Sequence, residues 1–220
     1  LVPAQWDREN GYFIPMYQRE AMWIDFDAAW WKPNAVKVGV GLVNAVSGGR
    51  WNSGLHGDPQ DYVVVPEQLW LDGIKSGEGT IRQFVAVPLG TGYTVEAQVT
   101  GTESEGALRI TVFEPRPGRF PDNPPEHLHP VQNESAPSMA MKMESGGMGL
   151  GAGGSMKQKV YEDRYGYDTW TQEDPQEIVI YIINSEQFRS ITGIEPPDTP
   201  VEAATYTSYG FPWFDLYDEH

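Results

Sequence analysis

The chain has 220 residues, 40% of them hydrophobic and 12% aromatic, enough to fill a core. Fifteen basic against thirty-one acidic residues leave a formal charge of −16. That balance excludes the cationic footprint that nucleic acid or an anionic membrane surface needs, and leaves cations and neutral polar ligands open.

Cysteine is absent, which excludes disulfides, thiolate metal ligands and a Cys nucleophile. No apolar run nears the roughly 20 residues that span a bilayer, so membrane insertion is not expected. The first residue is Leu1. A cleaved signal peptide or excision from a longer chain would each explain that start, and a secreted or cell-surface location is favoured over a cytoplasmic one.

In chain order, residues 12–17, 21–26 and 36–43 carry period-two patterns that predict strands, with Val36, Val38 and Val40 on one face. Residues 61–65 form a short apolar run that fits a buried strand, and residues 66–74 fit one or two helical turns closed by Gly73. Residues 81–113 read as a three-stranded antiparallel meander. In it Tyr93, Val95, Ala97 and Val99 alternate with Thr94, Glu96, Gln98 and Thr100, and glycine-containing turns separate the strands. Glu96 then points outward, towards Arg109 or Arg82.

Residues 114–156 break this pattern. They begin Pro-rich, pass His127 and His129, and end in a Met- and Gly-rich run holding five of the seven methionines. Beyond them, residues 156–163 and 177–184 predict two more strands, and Asn184 with Gln187 predicts a capped helix ending at Gly193. The tail carries Tyr206, Tyr209, Phe211, Trp213, Phe214 and Tyr217, and such a tail is expected to dock on the body.

The fold class expected is mainly β, an antiparallel β-sandwich or two packed sheets with two or three short helices. One domain spans 1–220, with 114–156 as a connector between an N-terminal half (1–114) and a C-terminal half (156–220) that share a core.

Several patterns bear on chemistry. Gly149, Gly151 and Gly154 have dinucleotide-loop spacing, but the sequel alternates like a strand and not a helix, which favours a turning backbone segment. Met139, Met141 and Met143 alternate, so an extended segment would line up three thioethers. With His127 and His129 these make a copper site, or else an edge strand laid on a core. Asp163, Asp168, Glu173 and Asp174 around the turn at Gly166 offer oxygen ligands for calcium, though not at EF-hand spacing.

Carboxylates at Glu20, Asp25, Asp27, Asp61 and Glu96 lie near predicted strands and would serve a glycoside hydrolase if two faced each other. Neither a Gly-x-Ser-x-Gly elbow nor an HExxH pair occurs. Of the eight tryptophans, Trp30, Trp31 and Trp51, with Asn34 and Asn52 beside them, best fit a sugar-stacking surface, while Trp23 and Trp70 are expected in the core.

The phrases AVKVGVGLVNAVSG, IRQFVAVPLGTGYTVEAQVTG, MGLGAGGSMKQKVYED and FPWFDLYDE resemble a family of uncharacterised bacterial and fungal proteins over most of the chain. The resemblance implies no activity. It does imply that the Gly-rich segment and the aromatic tail belong to the architecture. The function expected from the residues is therefore non-catalytic: a β-rich protein that binds a glycan or small polar ligand or associates with itself as a homo-oligomer. A copper or calcium protein and a carboxylate-based hydrolase are the alternatives.

Overall fold

The computed structural model describes residues 6–7, 9–17, 20–90, 92–102, 106–125 and 155–197. His127, His129, Met139, Met141, Met143, the Gly149 to Gly154 loop and the aromatic tail lie outside the described residues.

The strands are β1 (Gly11–Pro15), β2 (Ala21–Met22), β3 (Ile24–Asp25), β4 (Asn34–Val40), β5 (Val43–Asn44), β6 (Val63–Val65), β7 (Trp70–Leu71), β8 (Gly73–Gly77), β9 (Thr80–Val85), β10 (Leu108–Phe113), β11 (Ser155–Lys157) and β12 (Gln176–Ile183). Among the described residues two helices accompany them, α1 (Val95–Thr100) and α2 (Ser185–Thr192), and the protein is mainly β. Among the described residues, no helix is long and apolar enough to cross a membrane.

The larger sheet runs β1-β12-β10-β4-β5, with β6 also on β4. β10 occupies one edge of β4 along residues 35–40, so β5 and β6 share the other. β12, from beyond the 114–156 stretch, lies between β1 and β10. Its pairing with β10 is antiparallel and its pairing with β1 is parallel, so the sheet is mixed at that edge.

The second sheet joins β11, β9 and β2, with β8 on β9. Alternation along β4 sends Val36 and Val38 to the side this sheet covers, where they pack with Val43, Val63, Val65, Ile74 and Phe84.

The opposite face of the larger sheet is covered as well. Ala35 joins Leu55, Tyr62, Val64, Phe113 and Trp170 in one cluster, and Val179 and Tyr181 join Ala107, Trp6 and Phe13 in another. A polar row lies on this same face. Lys37 stands opposite Thr111, and Thr111 opposite Glu177. The Thr111 hydroxyl donates to Glu177 at 2.9 Å, and Arg109 approaches the same carboxylate at 3.3 Å.

Several expected elements are corrected. The middle strand of the meander is α1: the Thr94 hydroxyl accepts from the Ala97 N–H at 3.1 Å, and Gly101 closes the helix in the left-handed region. Glu96 accordingly does not point outward; it is buried, at 1% exposure, with its carboxylate against Gly41. The helical turns expected at 66–74 are instead a turn followed by β7 and β8, because Leu71 and Ile74 must face the core between the sheets. The strand expected at 156–163 is paired only through Lys157. The helix expected from Asn184 is present as α2, with both hydrogen bonds of its capping box.

A candidate cleft over a buried lysine

Lys37 lies in the middle of a strand of alternating valines, and on this sheet its side chain is fully buried. All three ammonium protons are used. Nζ donates to Asp61 at 2.6 Å, to Asn52 Oδ1 at 2.8 Å and to the Gly54 carbonyl. The Trp51 ring covers it, with its centroid 5.2 Å from Nζ. That ring also lies flat against Gly39, where a Cβ would stand 2.6 Å from a ring carbon, so the strand needs glycine at this position. Burial pulls the Lys37 ammonium below its ordinary value, and the Asp61 carboxylate opposes that shift.

Asp61 is the second member of this array and is itself buried. Oδ1 accepts from the His56 backbone N–H at 2.8 Å, and Oδ2, besides Lys37, faces His56 Nδ1 at 3.2 Å. The Asn44 amide holds the Asp61 carbonyl at 2.8 Å while its own oxygen accepts from the Val46 and Ser47 backbone. The loop from β5 to β6 is thus fastened to β4 at several points. The His56 side chain, 58% exposed, stands at its outer end with one nitrogen oriented by a carboxylate.

Across from this loop, Asp163 collects four donors: the Tyr62 hydroxyl at 2.6 Å, Trp170 Nε1 at 2.7 Å, and the backbone N–H groups of Tyr165 and Gly166 at 2.8 and 3.2 Å. Burial, with the Asp163 carboxylate second, pushes the Tyr62 phenol well above the ordinary tyrosine range. Gln60 joins the two loops, donating to the Tyr62 and Tyr161 carbonyls at 2.8 and 3.1 Å and accepting from the Asp163 N–H at 2.9 Å. Between the loops lies an open cleft of about 810 Å³, lined among others by His56, Asp58, Gln60, Glu162, Asp163 and Tyr167.

The residues expected at a sugar surface are not brought together. Trp30 and Trp31 meet edge to face just before β4, beside Lys32, which pairs with Asp122 at 2.9 Å. Asn34 donates to the Lys32 carbonyl at 3.2 Å. Trp51 and Asn52 instead serve Lys37, and Trp51 covers Gly39, about 17 Å further along the strand at 3.3–3.4 Å per residue. Trp23 and Trp70 are not in the core either: they are 67% and 41% exposed, because alternation on the short strands β3 and β7 sends Ile24 and Leu71 inward in their place.

Of the expected calcium ligands, Asp163 gives its carboxylate to the four donors named above. Asp168 lies in a short 3-10 turn, where its carbonyl accepts from Arg116 at 3.0 Å. Among the described residues, no three His, Cys, Asp or Glu side chains converge on one metal position.

The sequence pattern does not mark His56 as a site residue. The available signal was the string HGDPQD, a turn that returns Asp61 to His56. No family model, no curated protein and no solved structure matches this chain.

Proposed function

We propose that the protein binds a small hydroxylated ligand, a saccharide in class, in the cleft between the 55–62 and 162–167 loops. The observation that carries this reading is the lining itself, in which the exposed ring of Tyr167 shares one cleft with the carboxylates of Asp58 and Glu162 and the fixed imidazole of His56. A sugar offers apolar ring faces for stacking and hydroxyls that both donate and accept. An aromatic ring, two carboxylates, a phenol and an imidazole answer those needs. The charge of −16 favours neutral or cationic ligands over anionic ones.

Titration with a panel of mono- and oligosaccharides, read by saturation-transfer NMR and by tryptophan fluorescence, tests the reading. Trp170 reports on the cleft because its indole is bonded to Asp163. Saturable binding that is lost in Tyr167→Ala supports the proposal, and silence across the panel refutes it. The presence of Asp58 and Glu162 in the lining of one cleft also favours a second reading, glycoside cleavage by two carboxylates. Release of new reducing ends, abolished in Asp58→Asn or Glu162→Gln, would decide for it.

A further inference from the structure

We infer that the outer face of the β3–β7 ribbon is a separate binding site for organic cations of the alkylammonium type. The ribbon is short, with Ile24 opposite Leu71 and Asp25 opposite Trp70. Ile24 and Leu71 point into the core, so Asp25 and Trp70 point out. Continuing the register by one residue sets Trp23 opposite Asp72, on that same outward face. Two indoles and two carboxylates therefore alternate in a small square, each acid directly across from a tryptophan, with the two tryptophans as diagonal neighbours about 7–8 Å apart.

Exposure here is built in and does not come from loose chain. The Trp70 carbonyl accepts from the side-chain amides of both Gln68 and Gln158, at 2.9 Å each, and the Asp72 N–H donates to Gln158 Oε1 at 3.0 Å. The Gln158 amide thus takes the place of a neighbouring strand on the side of β7 away from β3. The Trp70 ring is oriented by its own N–H, which donates to Asp72 at 2.9 Å. A tryptophan ordinarily removes about 150–250 Å² from water on folding. Two of them held 67% and 41% exposed on a fixed ribbon form a surface that invites a ligand.

The chemistry of the face selects the ligand. Neither Asp25 nor Asp72 has an ion-pair partner among the described residues, and the Trp70 N–H is already engaged. The face therefore offers π-electron density and negative charge but few donors. A sugar needs donors for its hydroxyl oxygens. An alkylated ammonium needs none, and is attracted by both the ring faces and the carboxylates. This distinguishes the ribbon from the cleft, whose lining includes phenol and imidazole groups.

The test uses the full ¹⁵N-labelled chain and follows the indole N–H resonances of Trp23 and Trp70 during titration with tetramethylammonium chloride, against sodium chloride at equal ionic strength. Expected are saturable shifts with the organic cation only, abolished for the remaining indole in Trp23→Ala and at least tenfold weaker in Asp25→Asn. Both substitutions are at exposed positions, and unchanged dispersion of the other resonances shows that the fold survives. Three results each overturn the proposal: equal shifts with sodium, saturable shifts with cellobiose but not with the cation, or shifts on dilution alone, which would make the face a contact between copies of the chain.

Discussion

Replacing Asp61 with Asn removes the negative charge that faces the buried Lys37 ammonium at 2.6 Å. Nζ would keep Asn52 Oδ1 and the Gly54 carbonyl, both neutral, on a side chain with no exposed surface. Breaking a buried ion pair on one side leaves an uncompensated charge and costs about 3–5 kcal/mol. For a chain of this size that corresponds to a fall in Tm of roughly 6–20 °C, at about 2–4 °C per kcal/mol.

The pH dependence has a definite sign. Burial holds the folded Lys37 below 10.5, so at pH values just under 10.5 the unfolded chain binds more protons at this site than the folded one, and stability from this group rises with pH up to 10.5. Without Asp61 the folded value drops further and the window extends downward. Urea unfolding followed by tryptophan fluorescence, from neutral pH to pH 10, measures both effects. The double variant Lys37→Met with Asp61→Asn should be more stable than the sum of the single losses predicts, with a coupling of about 1–3 kcal/mol. A loss below about 1 kcal/mol in Asp61→Asn, or strict additivity in the double variant, would refute the reasoning.

Three further outcomes are expected. Tyr62→Phe removes a hydrogen bond to the Asp163 carboxylate and should cost about 1.5–3 kcal/mol in denaturant titration. In the wild type the raised phenol pKa means that the folded state retains this proton above pH 10 while the unfolded state loses it, so stability falls as the pH climbs past 10. Difference absorbance should accordingly show one of the eleven tyrosines ionising only as the chain unfolds. Gly41→Ala combines a φ of +55° with a Cβ placed 2.5 Å from the Glu96 carboxyl carbon, and a loss of about 2–5 kcal/mol is expected, partly relieved in the Glu96→Ala background. Asn184→Ala removes the capping box of α2 and should cost about 1 kcal/mol, seen as faster amide exchange in residues 185–188.

Long-range strands with clear alternation were legible in the sequence. β12 stands where its isoleucine periodicity sets it and α2 where its cap residues do, whereas the strand expected at 36–43 ends as β4 at Val40 and turns back at Gly41 and Leu42, so that Val43 belongs to β5. The segment at α1 misled because its six residues are too few for a period of 2.0 to be told from one of 3.6. Thr94 and Gly101, a cap pair, carried the better signal.

Lys37 illustrates a different blind spot. Val36 and Val38 mark one buried face of β4, and alternation then assigns Lys37 to solvent. The sheet is covered on both sides, however, and what announced the second cover was the small size of Ala35 and Gly39 on the lysine's own face. The outward tryptophans escape the sequence pattern for a related reason. Bulk and apolarity do not reveal which way a two-residue strand points, and Trp23 and Trp70 are outward because their neighbours Ile24 and Leu71 face the core. The His56–Asp61 contact was legible only as a turn, since a sequence does not print where a loop lays its side chains.

The position of β12 between β1 and β10 has a consequence for synthesis on the ribosome. Among the described residues β1 has no partner in the larger sheet other than β12, whose first residue follows the end of β1 by roughly 160 residues. At about 5–20 residues per second, the emerging chain carries β1 unmatched for about 10–30 s. Over the last part of that interval, the roughly 60 residues between β10 and β12, β10 also presents an open edge, a template for strands of other nascent chains. Closure of this sheet is therefore a late event, and a chain halted before residue 176 would expose two unpaired strand edges to whatever holds or degrades unfinished proteins.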